Sequence, residues 1–268
     1  MKRVYLEITD ACNLRCPFCT YDKGDHFMSF DEIKDYISQI KAFCDYIYLH
    51  ILGEPLLHPD LEKILDLLDE KQMKLQLVTN GTLLYRYPDL LDHPCLRKLS
   101  ISLHSYDHSD KDERYFKVID DLIENNKNKA IELRFYKSDS LSKTLRDYKD
   151  TLIKTYGLHK TKRKNSYLLK DKIYLYEEEM FDWPKMSDPF ISDMGTCHGG
   201  IDMIAINHDG KVSLCCLDPI PSNLIGDLKK ESLAQILASE TYNKTIEDLK
   251  KHKLDMELCK RCTYRLRF

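Results

Sequence analysis

Short β-rich runs alternate with runs of helical period through the first half of this chain, and that alternation constrains its fold more than any other feature. Residues 4–8 read as a first strand. Ser29-Phe30-Asp31-Glu32 has the form of a capping box, and Ile33, Tyr36, Ile37 and Ile40 then recur at helical spacing. Residues 46–51 read as a buried strand, 60–71 as a helix with Leu61, Ile64, Leu65 and Leu68 on one face, and 75–78 as a third strand. A fourth strand is predicted at 99–103, a helix at 112–125 and a fifth strand at 131–136. Polar residues fall where these strands end: Leu52-Gly53-Glu54-Pro55, Thr79-Asn80-Gly81 and His104. The pattern is that of an α/β fold built from parallel βα units, closed or partly closed, with active-site groups gathered at the C-terminal ends of the strands.

Residues 139–156 continue the series as an amphipathic helix, 172–176 as a sixth strand, and 177–193 as an irregular connection. Between them lies the basic run His159-Lys160-Thr161-Lys162-Arg163-Lys164, either a solvated loop or a rim that attracts an acidic or phosphorylated substrate. The last third is built differently. Residues 201–206 and 211–214 flank His208-Asp209-Gly210, a strong hairpin signal. Short helices follow at 232–237 and 242–252.

The cysteines carry the chemistry. Cys12, Cys16 and Cys19 leave the first strand at spacings of four and three, where three thiolates converge on one soft metal centre and leave it a ligand short. A zinc loop or merely buried thiols are the plainer readings. Cys197 and Cys215 bracket the hairpin and Cys259-Lys260-Arg261-Cys262 closes the chain, so these four form a second set suited to a cluster or to zinc. Cys216, beside Cys215, is an alternative ligand; Cys44 and Cys95 are expected in the core. Ten cysteines without an apolar signal segment suit metal ligation in a reducing cytoplasm better than disulfides. A net charge of −3 gives no strong nucleic-acid signal, and no apolar run is long enough to span a membrane.

Together these residues resemble the radical S-adenosylmethionine (SAM) superfamily. Cys12, Cys16 and Cys19 match its Cys-x3-Cys-x2-Cys signature, with Phe18 at the aromatic position before the third cysteine. Leu52-Gly53-Glu54-Pro55 resembles its Gly-Gly-Glu-Pro, with Leu for the first Gly. The resemblance implies a partial (β/α)6 TIM-like barrel over 1–180 and a small C-terminal α+β iron–sulfur domain of SPASM or twitch type over 181–268. It implies two [4Fe–4S] clusters, one SAM-binding and one auxiliary, the latter held by Cys197, Cys215, Cys259 and Cys262. The amino and carboxylate groups of SAM's methionyl part chelate the open iron of the first, and reductive cleavage of SAM gives a 5′-deoxyadenosyl radical that abstracts hydrogen. It further implies SAM contacts from Gly53 and Glu54, ribose contacts from Ser102 and His104, and a SAM-carboxylate partner in Arg134, for which a structural ion pair is the other reading. Asn80 is a SAM or substrate contact or simply part of a turn.

Within that superfamily the layout is most similar to the 2-deoxy-scyllo-inosamine dehydrogenase group. This implies oxidation of a sugar- or aminocyclitol-like alcohol, with the auxiliary cluster accepting an electron and an external one-electron reductant such as flavodoxin or ferredoxin. No catalytic base is assigned; polar side chains within 174–183 are candidates by position. A maturase acting on a ribosomally made peptide or protein side chain, and a zinc-binding adaptor without SAM chemistry, are the alternatives.

Overall fold

The computed structural model describes residues 1–19, 22–137, 141–180 and 182–267. Six strands run parallel side by side: β1 (Arg3–Leu6), β2 (Tyr46–Tyr48), β3 (Lys74–Thr79), β4 (Leu96–Ser102), β5 (Ala130–Tyr136) and β8 (Ile173–Glu178). Helices α1 (Phe30–Lys41), α2 (Leu61–Glu70), α3 (Arg114–Glu124) and α4 (Lys143–Tyr156) link them. The result is the expected partial (β/α)6 barrel.

The strands alternate cleanly. Val4, Ile47, Leu75, Leu77, Leu99, Ile101, Ile131, Leu133, Ile173 and Leu175 are buried in the apolar core. Their neighbours Arg3, Tyr5, Tyr48, Gln76, Lys98, Ser100, Glu132, Arg134 and Tyr176 line a cavity inside the barrel. A parallel strand covered by apolar groups on both faces would read as a continuous hydrophobic run. Here the period of two leaves the barrel interior polar and open instead of packed.

Helix α1 starts as expected: Ser29 and Glu32 form a complete capping box. Strand β2 stops at Tyr48, three residues short of expectation, because the chain turns to the first loop. There Leu52 N–H donates to Glu7 Oε1 (2.9 Å) and Glu54 N–H to the Ala11 carbonyl (2.8 Å). The first residue expected in α4, Asp139, lies outside the described residues, where the helix begins at Lys143 behind the N-cap Ser142.

The basic run is not simply a loop. His159–Lys160 forms β6, which pairs with the unforeseen β7 (Ser166–Lys170), and β7 returns antiparallel to β8.

Beyond residue 181, which is not described, β9 (Met203–Ile206) pairs parallel with β1, and β10 (Lys211–Ser213) and β11 (Leu224–Asp227) extend the sheet antiparallel. Among the described residues all eleven strands therefore form one sheet. Helices α5 (Leu233–Ala238), α6 (Glu240–Lys250) and α7 (Glu257–Arg261) complete the C-terminal part. Among the described residues no helix is long and apolar enough to cross a membrane.

Candidate functional site

Cys12, Cys16 and Cys19 are free thiols on the loop after β1, and all three line one cavity of about 490 Å³. Side-chain and backbone bonds shape this loop. Thr9 Oγ1 accepts from Ala11 N–H (3.0 Å) and donates to the His26 carbonyl (2.7 Å), and Cys19 N–H closes a turn on Cys16 (3.0 Å). Burial pushes the Cys16 thiol up to about 11, against a hydrogen bond from Ser105. Burial also raises Cys12. Lys23 Nζ lies 2.7 Å from Cys19 Sγ and 3.1 Å from the Leu52 carbonyl, an ammonium placed to stabilise a thiolate that sequence reasoning did not single out.

Gly53 and Glu54 meet this loop where β2 ends. A side chain at Gly53 would place its Cβ 2.1 Å from the Thr9 carbonyl oxygen, so only glycine permits the contact. Glu54 is buried, and its carboxylate accepts from Thr79 Oγ1 (2.7 Å), Asn80 N–H (2.7 Å) and Leu56 N–H (3.1 Å). Burial nevertheless dominates and raises its carboxyl to about 7. Three of its roughly four acceptor positions are used, which leaves room for one further donor.

Asn80 is brought to the same wall, with its side chain engaged by protein. Its amide donates to Asn13 Oδ1 (3.0 Å) and its oxygen accepts from Thr82 N–H and Oγ1 (2.9 and 2.7 Å). It thus ties the cysteine loop to the end of β3.

An aromatic wall faces the loop. The His104 ring stacks on Tyr136 (centroids 3.9 Å), and the Phe18 ring packs edge-on against both at 5.2 and 5.1 Å. Tyr136 was not among the expected residues. Burial, then the charge of Arg134, lowers His104 to about 3. Its Nδ1 is buried without a hydrogen-bond partner among the described residues. His50, at the end of β2, is lowered to about 3 by the same causes and has the same orphaned Nδ1. Ser102 lines the cavity beside its register partner Arg134. Arg134 pairs with Glu178 on β8, the ion-pair reading of this residue.

The second cysteine set lines the same cavity from the C-terminal side. Cys197 precedes β9, Cys215 follows β10, and Cys259 and Cys262 sit in and just after α7. After burial, the charges acting on Cys215 are led by its neighbour Cys216, then Cys259 and Cys197, and those on Cys259 by Cys197 and Cys262. The four therefore cluster. Gly199 N–H donates to Cys197 Sγ (3.3 Å) and Asn223 Nδ2 to Cys259 Sγ (3.3 Å). Cys216 differs: its thiol engages the Tyr5 hydroxyl and feels Arg3 before any other cysteine. Cys44 and Cys95 are buried in the core as expected.

Crowded thiols become thiolates together only against a strongly positive centre, so both donor sets fit soft metal clusters, one three-coordinating and one four-coordinating. The two sets share one cavity. Such an arrangement suits redox chemistry on a molecule held between them.

The Radical SAM superfamily model matches residues 6–138, and SPASM, an iron–sulfur cluster-binding domain, matches residues 197–263. The chain is 34% identical over 110 residues to a probable GTP 3′,8-cyclase of Methanococcus maripaludis, which is 38% of this chain and 36% of that protein. It is 35% identical over 91 residues to a tungsten-containing aldehyde ferredoxin oxidoreductase cofactor-modifying protein of Pyrococcus furiosus, which is 31% of this chain and 25% of that protein. The chain thus spans well under half the length of these curated relatives.

Among solved structures, BtrN in an open conformation superposes with a TM-score of 0.61 at 17% identity, covering 97% of this chain and 91% of that one. The enzyme anSMEcpe with bound AdoMet gives 0.63 at 13% identity, covering 98% and 83%. SuiB of Streptococcus suis gives 0.61 at 13% identity, covering 92% and 67%. At these identities the likeness is one of fold.

Proposed function

We propose, from the premise that this chain belongs to the radical SAM superfamily and carries a C-terminal iron–sulfur cluster-binding domain, that it is an oxidoreductase acting on a small polar metabolite. Its cofactors are a SAM-binding [4Fe–4S] cluster, SAM and an auxiliary cluster. When bound, these supply a 5′-deoxyadenosyl radical that removes a hydrogen atom from an unreactive C–H bond.

Cys12, Cys16 and Cys19 are the proposed ligands of the first cluster, and Cys197, Cys215, Cys259 and Cys262 those of the auxiliary one. Cys216 is left out because Tyr5 engages its thiol. Residues 1–180 and 181–268 are the proposed domains. Glu54 offers its remaining acceptor position to the SAM ammonium, which Gly53 lets approach the loop backbone closely. Phe18, Ser102 and His104 border the volume proposed for the adenosine, and the paired Arg134 orients nearby groups through its charge. Asn80 positions the loop through Asn13.

One observation carries the reading: both cysteine sets open onto a single cavity that Lys98, Glu132 and Arg134 also line. A substrate there is bordered by a radical source on one side and a candidate electron acceptor on the other. Oxidation of a secondary alcohol to a ketone needs removal of one hydrogen atom, one proton and one electron, which suits that placement. BtrN, a 2-DOIA dehydrogenase of similar fold, is consistent with this class. An external flavodoxin- or ferredoxin-like reductant is the proposed electron source, and the reducing cytoplasm the proposed compartment.

The test is incubation of anaerobically reconstituted protein with SAM, reductant and a panel of sugar and aminocyclitol alcohols, with and without phosphate groups. A ketone product with 5′-deoxyadenosine supports the reading. No ketone, with a mass change in a precursor peptide encoded beside the gene, replaces it with a maturase. Zinc in place of iron and sulfide replaces it with an adaptor.

A further inference from the structure

The barrel interior carries more positive than negative charge. On the strand faces and the β6–β7 connection, Arg3, Lys98, Arg134 and Arg163 face the cavity, against Glu132 and Glu178. Glu132 serves two of these cations, Lys98 (2.6 Å) and Arg163 (2.5 Å), while Glu178 serves Arg134. The other cationic liners belong to the cysteine sets: Lys23 bonds Cys19, and Arg265 bonds the Cys259 carbonyl.

Arg3 is the exception. Among the described residues no carboxylate lies within ion-pair distance of its guanidinium, and its Nε is buried without a hydrogen-bond partner. Its neighbours are neutral groups, the Tyr48 hydroxyl and the Cys216 thiol. Tyr48 continues the chain by donating to Gln76 (2.8 Å), and Gln76 and Ser100 lead on to Glu132 (3.5 and 3.4 Å). A polar belt thus crosses β1 to β5, and an unmatched cation stands at its β1 end. A partly buried guanidinium with only neutral partners is stabilised when a ligand supplies the anion.

We infer that Arg3 is a specificity-determining residue that anchors a phosphate group of the substrate within the barrel. The inference rests on the substrate site proposed above and names the class of molecule it takes, a phosphate ester. A phosphate monoester carries about −1.5 to −2 charges near pH 7, which matches the surplus of two cations over carboxylates on the barrel wall. The guanidinium fork suits phosphate oxygens, which a single point charge would hold less specifically.

Calorimetric titration of the anaerobically reconstituted holoprotein tests this, with glucose 6-phosphate, inorganic phosphate, gluconate and glucose as probes. Glucose 6-phosphate and inorganic phosphate are expected to bind, with affinity falling as salt rises, and glucose and gluconate at least ten-fold more weakly. Arg3→Gln should weaken glucose 6-phosphate at least ten-fold, and Arg3→Lys at least three-fold because a point charge replaces the fork. Lys160→Gln, an equal loss of charge outside the cavity, should change affinity less than two-fold. Cluster absorbance and far-ultraviolet circular dichroism verify folding of Arg3→Gln, and if it is unfolded Arg3→Lys carries the test. Unchanged affinity in a folded Arg3 variant, binding of gluconate as tight as that of the phosphates, or no phosphate binding by the wild type overturns the inference. SAM cleavage by the wild-type preparation is assayed separately, so failure of the radical reading is distinguishable from failure of the anchor.

Discussion

His208 Nδ1 lies 2.9 Å from Glu7 Oε2, so a carboxylate at the end of the first strand holds the turn of the C-terminal hairpin across 201 residues of sequence. The same carboxylate accepts from Leu52 N–H, and His208 Nε2 faces Asp10 at 3.5 Å. One buried residue therefore joins the cysteine loop, the Gly53-Glu54 turn and the hairpin leading to the distal cysteines. The bond to Glu7 is the main reason His208 is raised above its ordinary value, against burial that would lower it.

His208→Phe should destabilise the protein by about 2 kcal/mol at pH 6, because it leaves the buried Glu7 carboxylate short of a partner. The folded-state constant is raised, so this stabilisation is fully present below the unfolded histidine value and is lost as pH rises through the folded one. Urea denaturation of both proteins from pH 5.5 to 9 should show the difference shrinking with rising pH. A difference independent of pH would assign the effect to packing.

Replacing any of Cys12, Cys16, Cys19, Cys197, Cys215, Cys259 or Cys262 with alanine should lower iron from about eight to about four atoms per chain. Cys216→Ala should keep about eight. Iron and sulfide analysis of anaerobically purified proteins is the measurement. Loss of iron in Cys216→Ala with retention in Cys215→Ala would exchange their roles.

Gly53→Ala should cost about 3 kcal/mol and abolish SAM binding together, because the new methyl meets the Thr9 carbonyl and displaces the loop bearing Cys12. Thermal unfolding and equilibrium dialysis with labelled SAM measure the two effects. Full SAM binding at lowered stability would separate Gly53 from the SAM site.

SAM affinity should rise from pH 6 to about 7.5 and then level off. Burial raises the Glu54 carboxyl to about 7 in the free protein, and an N–H donor of SAM binds its ionised form, so Glu54 contributes a released proton to binding below that value. Calorimetry at pH 6.5 in buffers of different ionisation enthalpy should detect that release. Glu54→Gln should remove it and weaken SAM at least ten-fold.

Much of the fold was legible because helical period and strand runs are local signals. The capping box at Ser29 and Glu32 and the alternation of β and α elements are both present as read. Strands β7 and β11 escaped notice because their pairing depends on partners, not on their own composition. Lys23, His50, Tyr136 and Arg3 escaped for another reason. A lysine or tyrosine in a loop or strand says nothing locally about which cavity it faces. The alternation of polar with apolar residues in every barrel strand was the available signal, since a strand packed on both faces would have had no reason to carry Arg3, Gln76, Lys98 and Glu132.

Sequence by itself determined the chemistry available: seven grouped cysteines, a glycine where a backbone must approach closely, and the order of βα units, because ligand spacing and periodicity are written locally. Tertiary structure decided how those parts are used. It brought the two cysteine sets to one cavity, engaged the Cys216 thiol with Tyr5, and engaged Arg134 with Glu178. It also left Arg3 Nε buried without a hydrogen-bond partner among the described residues. Those outcomes depend on distances between strands far apart in the chain, and burial makes each of them electrostatically consequential.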